Sequence, residues 1–168
     1  VGRKGKKAAG VRVTSGKDQG CFVPALADFA GRWSLSRQIE DRLAGAAGRF
    51  EGEAVFAPHE GCGLIYRETG QLTLGNGPAF AAERGYLWRS VGGVIAVDFA
   101  DGRPFHQFDP SGDPAAQHVC IADDYRVRYD FARWPVWLAR ARTTGCARFT
   151  AERRLDPATC TGEPCQHA

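Results

Sequence analysis

The chain has 168 residues, 43% of them hydrophobic and 24% charged, with a formal net charge of +3. That balance is ordinary for one globular domain with tails and leaves room for a sizeable core. It excludes a helical membrane span, since the longest apolar run, 91–97, holds two glycines and stops at Asp98, far short of the ~20 residues required.

Residues 1–20 are rich in Gly, Lys and Ala, lack apolar periodicity, and read as a flexible arm. Its cations, Arg3, Lys4, Lys6, Lys7, Arg12 and Lys17, stand against Asp18 alone, a net +5 that leaves −2 for the rest of the chain. Every lysine lies in this arm; beyond it the basic residues are arginines. The chain opens Val1-Gly2-Arg3 and contains no methionine, which reads either as removal of an organellar transit segment or as a trimmed boundary.

Leu26 to Phe29 reads as a short helical turn. Trp33, Leu35 and Ile39 then alternate with Ser34, Ser36 and Gln38, the signature of a strand with one buried face, and glycines 45 and 48 mark the turn after it. Phe50, Gly52, Ala54 and Phe56 share a face of the next strand, which Pro58 ends. Leu64, Tyr66 and Glu68 alternate in a third, ended by Gly70; Leu72 and Leu74 lead into the turn Gly75-Asn76-Gly77-Pro78. Further strands are expected at 80–89, 94–99, 105–108, 118–121, 125–131, 137–144 and 148–155, with a loop from Pro110 to Pro114. About ten short strands at this spacing predict an all-β protein, an antiparallel up-and-down β-barrel closed so that no edge is left bare. The expected organisation is an arm at 1–20, a barrel at 21–156 and an extended or disordered tail at 157–168.

With Trp33 inward, Leu35, Arg37 and Ile39 follow it, and Arg37 becomes a charge facing a closed interior that needs a partner. Glu68 in line with Tyr66, then Tyr129, His106 and His118, are the candidates. With Trp33, Arg84 and Trp88 they make up the interior set. One reading is a polar patch holding an anionic or carboxylate-bearing ligand by a charge-assisted fork. The other is an internal Arg–Glu–Tyr network that closes the barrel floor with no ligand. His106 or His118 facing inward can be an axial haem ligand or a hydrogen-bonded wall residue. Phe131, Trp134 and Trp137, with Pro135 between the tryptophans, either cap a barrel end or form a docking surface.

No catalytic pattern emerges. Ser34, Ser36 and Ser90 lack a nucleophile-elbow context, and Gly75-Asn76-Gly77 lacks the helix and lysine of a phosphate loop. The six cysteines, Cys21, Cys62, Cys120, Cys146, Cys160 and Cys165, are too sparse for a disulfide-dependent scaffold. Cys160, Cys165 and His167 have the wrong spacing for common zinc modules and lack a fourth ligand, so no metal or other cofactor is expected.

Several blocks together resemble an uncharacterised family, a domain of unknown function with a lipocalin- or nitrobindin-like (calycin-type) barrel. They are Phe29-x-Gly31-x-Trp33-x-Leu35-x-Arg37-x-Ile39-x-Asp41, Gly48-x-Phe50-x-Gly52-x-Ala54-x-Phe56, Leu64-x-Tyr66-x-Glu68, Leu74-Gly75-x-Gly77-Pro78, Tyr86-x-Trp88-Arg89, Asp101-Gly102-Arg103-Pro104-Phe105-His106, His118-x-Cys120 and Tyr125-x-Val127-x-Tyr129-Asp130-Phe131-x-x-Trp134-Pro135-x-Trp137. The resemblance runs from about 26 to 155 and implies a calycin-like barrel without an established activity. The chain departs from it at Gly145-Cys146-Ala147-Arg148-Phe149-Thr150, where the family pattern runs Gly-Pro, a basic residue, an acid and Tyr.

The expected function is that of a non-enzymatic accessory or structural subunit of a large organellar assembly, mitochondrial or plastid. The barrel would be its docking body, and the arm an anchor on acidic protein or RNA. RNA contact is expected through the arm alone, since the body lacks a basic stripe with exposed aromatics. The alternative is a lipocalin-like carrier of a small hydrophobic or acidic ligand, haem or another porphyrin among them.

Overall fold

The computed structural model describes residues 22–61, 63–112, 114–120, 123–143 and 146–155. The basic arm and the tail with Cys160, Cys165 and His167 lie outside the described residues, as do the side chains of the segment 145–150. One 3₁₀ turn, Leu26–Phe29, precedes ten strands: β1 (Gly31–Asp41), β2 (Ala46–His59), β3 (Gly63–Leu74), β4 (Phe80–Val91), β5 (Val94–Phe99), β6 (Pro104–Phe108), β7 (Ala115–Cys120), β8 (Asp123–Arg133), β9 (Val136–Arg142) and β10 (Cys146–Arg154). No helix among the described residues is long and apolar enough to cross a membrane.

All pairings are antiparallel, in the order β6-β5-β4-β3-β2-β1-β10-β9-β8-β7. Two meanders are thus joined where the first strand pairs with the last, Trp33 in register with Arg154 and Asp41 with Cys146. The period of two works as expected along β1, where Trp33, Leu35 and Arg37 are buried and Ser36 and Gln38 are exposed. Gly48 and Gly70, expected at turns, instead lie inside β2 and β3. Gly70 sits directly opposite Gly52. A Cβ on Gly52 would run into the Thr69 carbonyl oxygen, and one on Gly70 into that of Glu51. Gly52 and Gly70 therefore mark a close approach of two backbones, not a strand end.

The closed ladder expected from the sequence is also corrected. Among the described residues no backbone register joins β6 to β7, the two ends of the sheet. The five-residue β6 starts at Pro104, which has no N–H to give a ladder. Side chains meet across the seam instead: the Phe105 ring lies 5.3 Å from His118 on β7 and 4.9 Å from Tyr125 on β8.

The sheet curls about a single core, and the two ends of that core differ in chemistry. At one end Phe29 of the 3₁₀ turn sits among aromatic rings, 5.2 Å from Trp88, 5.1 Å from Trp134, 5.7 Å from Trp137 and 5.8 Å from Phe131. The buried Trp33 indole donates its Nε1–H to the Phe29 carbonyl at 2.7 Å, fixing the turn over the sheet. Phe131, Trp134 and Trp137 thus cap this end. The other end is polar.

Candidate functional site

Strand register builds the polar end. Glu68 on β3 stands directly opposite Arg84 on β4, Arg37 on β1 opposite Phe50 on β2, and Glu152 on β10 between Leu35 on β1 and Trp137 on β9. Arg37 forms a two-pronged fork on Glu68, Nη1 to Oε1 and Nη2 to Oε2, both at 2.7 Å. Arg84 adds a second cation to the same carboxylate at 3.0 Å. Arg37 is 7% exposed and Glu68 2%, so the pair lies in a medium where each charge depends on the other. Burial works against both charges, but each partner outweighs it: the arginine is pushed further up and the Glu68 carboxyl held down.

Tyr66 joins this pair to a second acid. Its hydroxyl lies 2.6 Å from Glu68 Oε2 and 3.1 Å from Glu152 Oε1. Burial, then the two neighbouring carboxyls, raise the phenol well above its ordinary range, so it keeps its proton. A phenol has one hydrogen, and the shorter contact to the charged carboxylate takes it. The contact to Glu152 is then satisfied by a proton on Glu152 itself. Consistent with this, burial and the charge of Glu68 push the Glu152 carboxyl up to about 8. At neutral pH the cluster therefore counts two arginines against one carboxylate, a net +1.

On the other side of the interior, His106 Nε2 lies 2.8 Å from the Tyr129 hydroxyl. Burial, then nearby His118, bring the His106 pKa down to about 4, leaving the ring neutral. Burial also raises the Tyr129 phenol, which stays protonated and donates to Nε2. The Nδ1 of His106 then carries the remaining hydrogen.

Between these two groups is a cavity of ≈ 70 Å³ walled by Trp88, Tyr86, Phe105, Tyr125 and Trp137, with Arg37, Arg84, His106, Tyr129 and Glu152 at its polar edges. Five buried polar atoms of its lining have no hydrogen-bond partner among the described residues: Arg84 Nε, Trp88 Nε1, Trp137 Nε1, His106 Nδ1 and Glu152 Oε2. Four of these are donors in the proton arrangement above, and one is an acceptor. A buried polar group left unpaired costs about 1–3 kcal/mol, so each of these atoms calls for a polar partner, ordered water included. A second cavity of ≈ 200 Å³ shares Arg37 and Arg84 with the first and includes Glu68, Phe50 and Leu72.

Of the residues singled out in the sequence, Arg37, Tyr66, Arg84, Trp88, His106 and Tyr129 line the inner cavity. Glu68 stands behind them as the counter-charge. Trp33 belongs to the aromatic cap and His118 to the β6–β7 seam, and neither lines this space. Glu152 and the Trp137 indole N–H were missed. Their signal was weak: Glu152 lies in a strand whose alternation is broken by Arg153-Arg154, and Trp137 reads as part of the cap. A haem does not fit. The cavity falls well short of the ~300 Å³ at which drug-sized ligand pockets begin, and the nitrogen of His106 bonded to Tyr129 is not free to ligate iron.

The class is thus an all-β protein of one curled antiparallel sheet with a small polar cavity in its core. The chain belongs to the Family of unknown function (DUF6314), whose model matches residues 29–152. No curated protein matches it in sequence. Among solved structures it is similar to the S-type phycobiliprotein lyase CPES from Guillardia theta, at 10% identity and a TM-score of 0.46, covering 77% of this chain and 89% of that one. It is also similar to the redesigned β-barrel mFAP1 bound to DFHBI, at 14% identity, a TM-score of 0.40 and coverage of 77% and 98%. A third likeness is to a fluorescence-activating β-barrel designed de novo, at 15% identity, a TM-score of 0.40 and coverage of 79% and 99%.

Proposed function

We propose that this protein is a non-enzymatic binder of a small monoanionic acid, held inside a barrel whose β6–β7 seam is closed by side chains. Five unpartnered polar atoms on residues that line one half-open interior cavity carry the reading. Donors dominate that set, and the cluster nets +1 while Glu152 is protonated, so an incoming carboxylate supplies both the missing acceptors and the missing charge. The aromatic walls suit a compact carbon frame. The volume restricts the ligand to a few heavy atoms, which favours the acidic form of the carrier expected from the sequence over a porphyrin or a lipid. Arg84, 32% exposed and shared with the outer cavity, is the side chain that can move aside for entry.

The accessory-subunit reading draws on the arm at 1–20, which lies outside the described residues. Titration of ¹⁵N-labelled protein with acetate, glycolate and lactate tests the carrier reading. The indole N–H signals of Trp88 and Trp137 are expected to shift saturably, while that of Trp33, already bonded to Phe29, stays in place. Absence of any saturable shift at Trp88 and Trp137 with all three acids overturns the reading.

A further inference from the structure

The buried polar atoms without partners among the described residues are not all of one kind. Arg84 Nε, Trp88 Nε1, Trp137 Nε1 and His106 Nδ1 donate, and Glu152 Oε2 accepts. All five residues line the inner cavity. The role of the acceptor is fixed by its surroundings. Glu152 is 2% exposed, and its Oε1 is occupied by the Tyr66 hydroxyl at 3.1 Å. When Glu152 holds its proton, that proton lies on Oε1 toward Tyr66, whose own hydrogen goes to Glu68 at 2.6 Å. Oε2 is therefore an acceptor whether Glu152 is ionised or not. Trp137, which carries one of the donors, stands directly opposite Glu152 in the pairing of β9 with β10. A donor and the acceptor thus come from residues whose Cα atoms are about 5 Å apart, and one small molecule can meet both.

A plain carboxylate accepts from the donors but offers Oε2 nothing, and a buried acceptor left unpaired costs about 1–3 kcal/mol. An amino acid offers the hydrogens of an ammonium group where a single one is wanted. It also sets a cation beside a cluster of Arg37, Arg84 and Glu68 that is already at +1. A hydroxyl supplies one hydrogen and no charge. The ≈ 70 Å³ of the cavity keep the carbon frame that joins hydroxyl and carboxylate short.

We propose that the ligand of this cavity is a short hydroxy acid, its carboxylate taking the donors and its hydroxyl donating to Glu152, which thereby sets specificity. This rests on the acid-binding reading above and narrows it. Titration of the full ¹⁵N-labelled chain with glycolate, acetate and fluoroacetate, followed at the indole N–H signals of Trp88 and Trp137, tests it. Fluoroacetate has nearly the size of glycolate but no hydrogen to give. Glycolate is expected to bind roughly tenfold tighter than either of the other two. Glu152→Gln is expected to keep that preference, because its amide donates to Tyr66 and leaves its oxygen to accept from the ligand. Glu152→Met, similar in size but without the acceptor, is expected to bind the three acids about equally. Acetate or fluoroacetate binding the parent protein as tightly as glycolate overturns this inference and leaves the acid-binding reading standing. A preference lost in Glu152→Gln, or one that survives in Glu152→Met, does the same. No saturable shift with any of the three acids overturns both.

Discussion

The protonated state of Glu152 is open to direct test through the pH dependence of stability. Its carboxyl, ordinarily near 4.5, is raised to about 8 in the folded protein. The folded chain therefore holds a proton that the unfolded chain releases between those values, and stability falls as pH rises through that window. His106 acts in the opposite sense: its pKa drops from 6.5 to about 4, so its contribution is complete above 6.5 and is lost as pH falls. Between 4.5 and 6.5 the two slopes oppose each other. From 6.5 to 8 Glu152 dominates over the last of the His106 titration, and at up to about 1.4 kcal/mol per pH unit the net loss is roughly 1–1.5 kcal/mol. Urea denaturation at half-unit steps from pH 6.5 to 8, analysed with a common m-value, should show this decline in the parent protein and a flat profile in Glu152→Gln. A parent profile that is flat, or a variant that keeps the slope, refutes the assignment of the proton to Glu152.

Other perturbations follow from the same geometry. Arg37→Met leaves Glu68 buried with Arg84 as its partner at 3.0 Å, so denaturation should show a loss of about 3 kcal/mol, the low end for a broken buried pair; Arg37→Met/Glu68→Met should recover most of it. Phe29→Ala removes the ring at the centre of the aromatic cap, with an expected loss of about 3–5 kcal/mol and a collapse of the near-ultraviolet circular dichroism. Gly52→Ala drives a methyl into the backbone of β3, and a loss of about 3 kcal/mol is expected by the same denaturation assay. Trp137→Phe keeps a ring in the wall but deletes an unpartnered N–H. Its stability without ligand should fall by less than about 2 kcal/mol, while short-acid binding measured by indole or ring shifts weakens severalfold.

Much of the site was legible because period-two alternation is a local signal. Once Trp33 is placed inward, Arg37 must follow two pleats later, and the cost of burying its charge calls for a partner among Glu68, Tyr129, His106 and His118; the structure supplies Glu68, on β3 one strand beyond β2. Glu152 was not legible, because its place depends on the pairing of β1 with β10, a contact between the two ends of the body that no local pattern encodes. Gly48 and Gly70 misled for a related reason. A glycine that ends a strand and one that lets two strands touch look alike until the facing residue is known.

The two ends of the core are coupled through Trp88 and Trp137. Each packs its ring against Phe29, at 5.2 Å and 5.7 Å, lines the cavity, and has a buried indole nitrogen without a partner among the described residues. The aromatic end can therefore supply burial energy through large rings that also fix where the donors sit. The polar end can tolerate unpartnered atoms because the cap holds the sheet curled around them. On the proposed acid-binding reading, donors held in place by the aromatic cluster beside a net positive charge lower the ordering cost of the ligand.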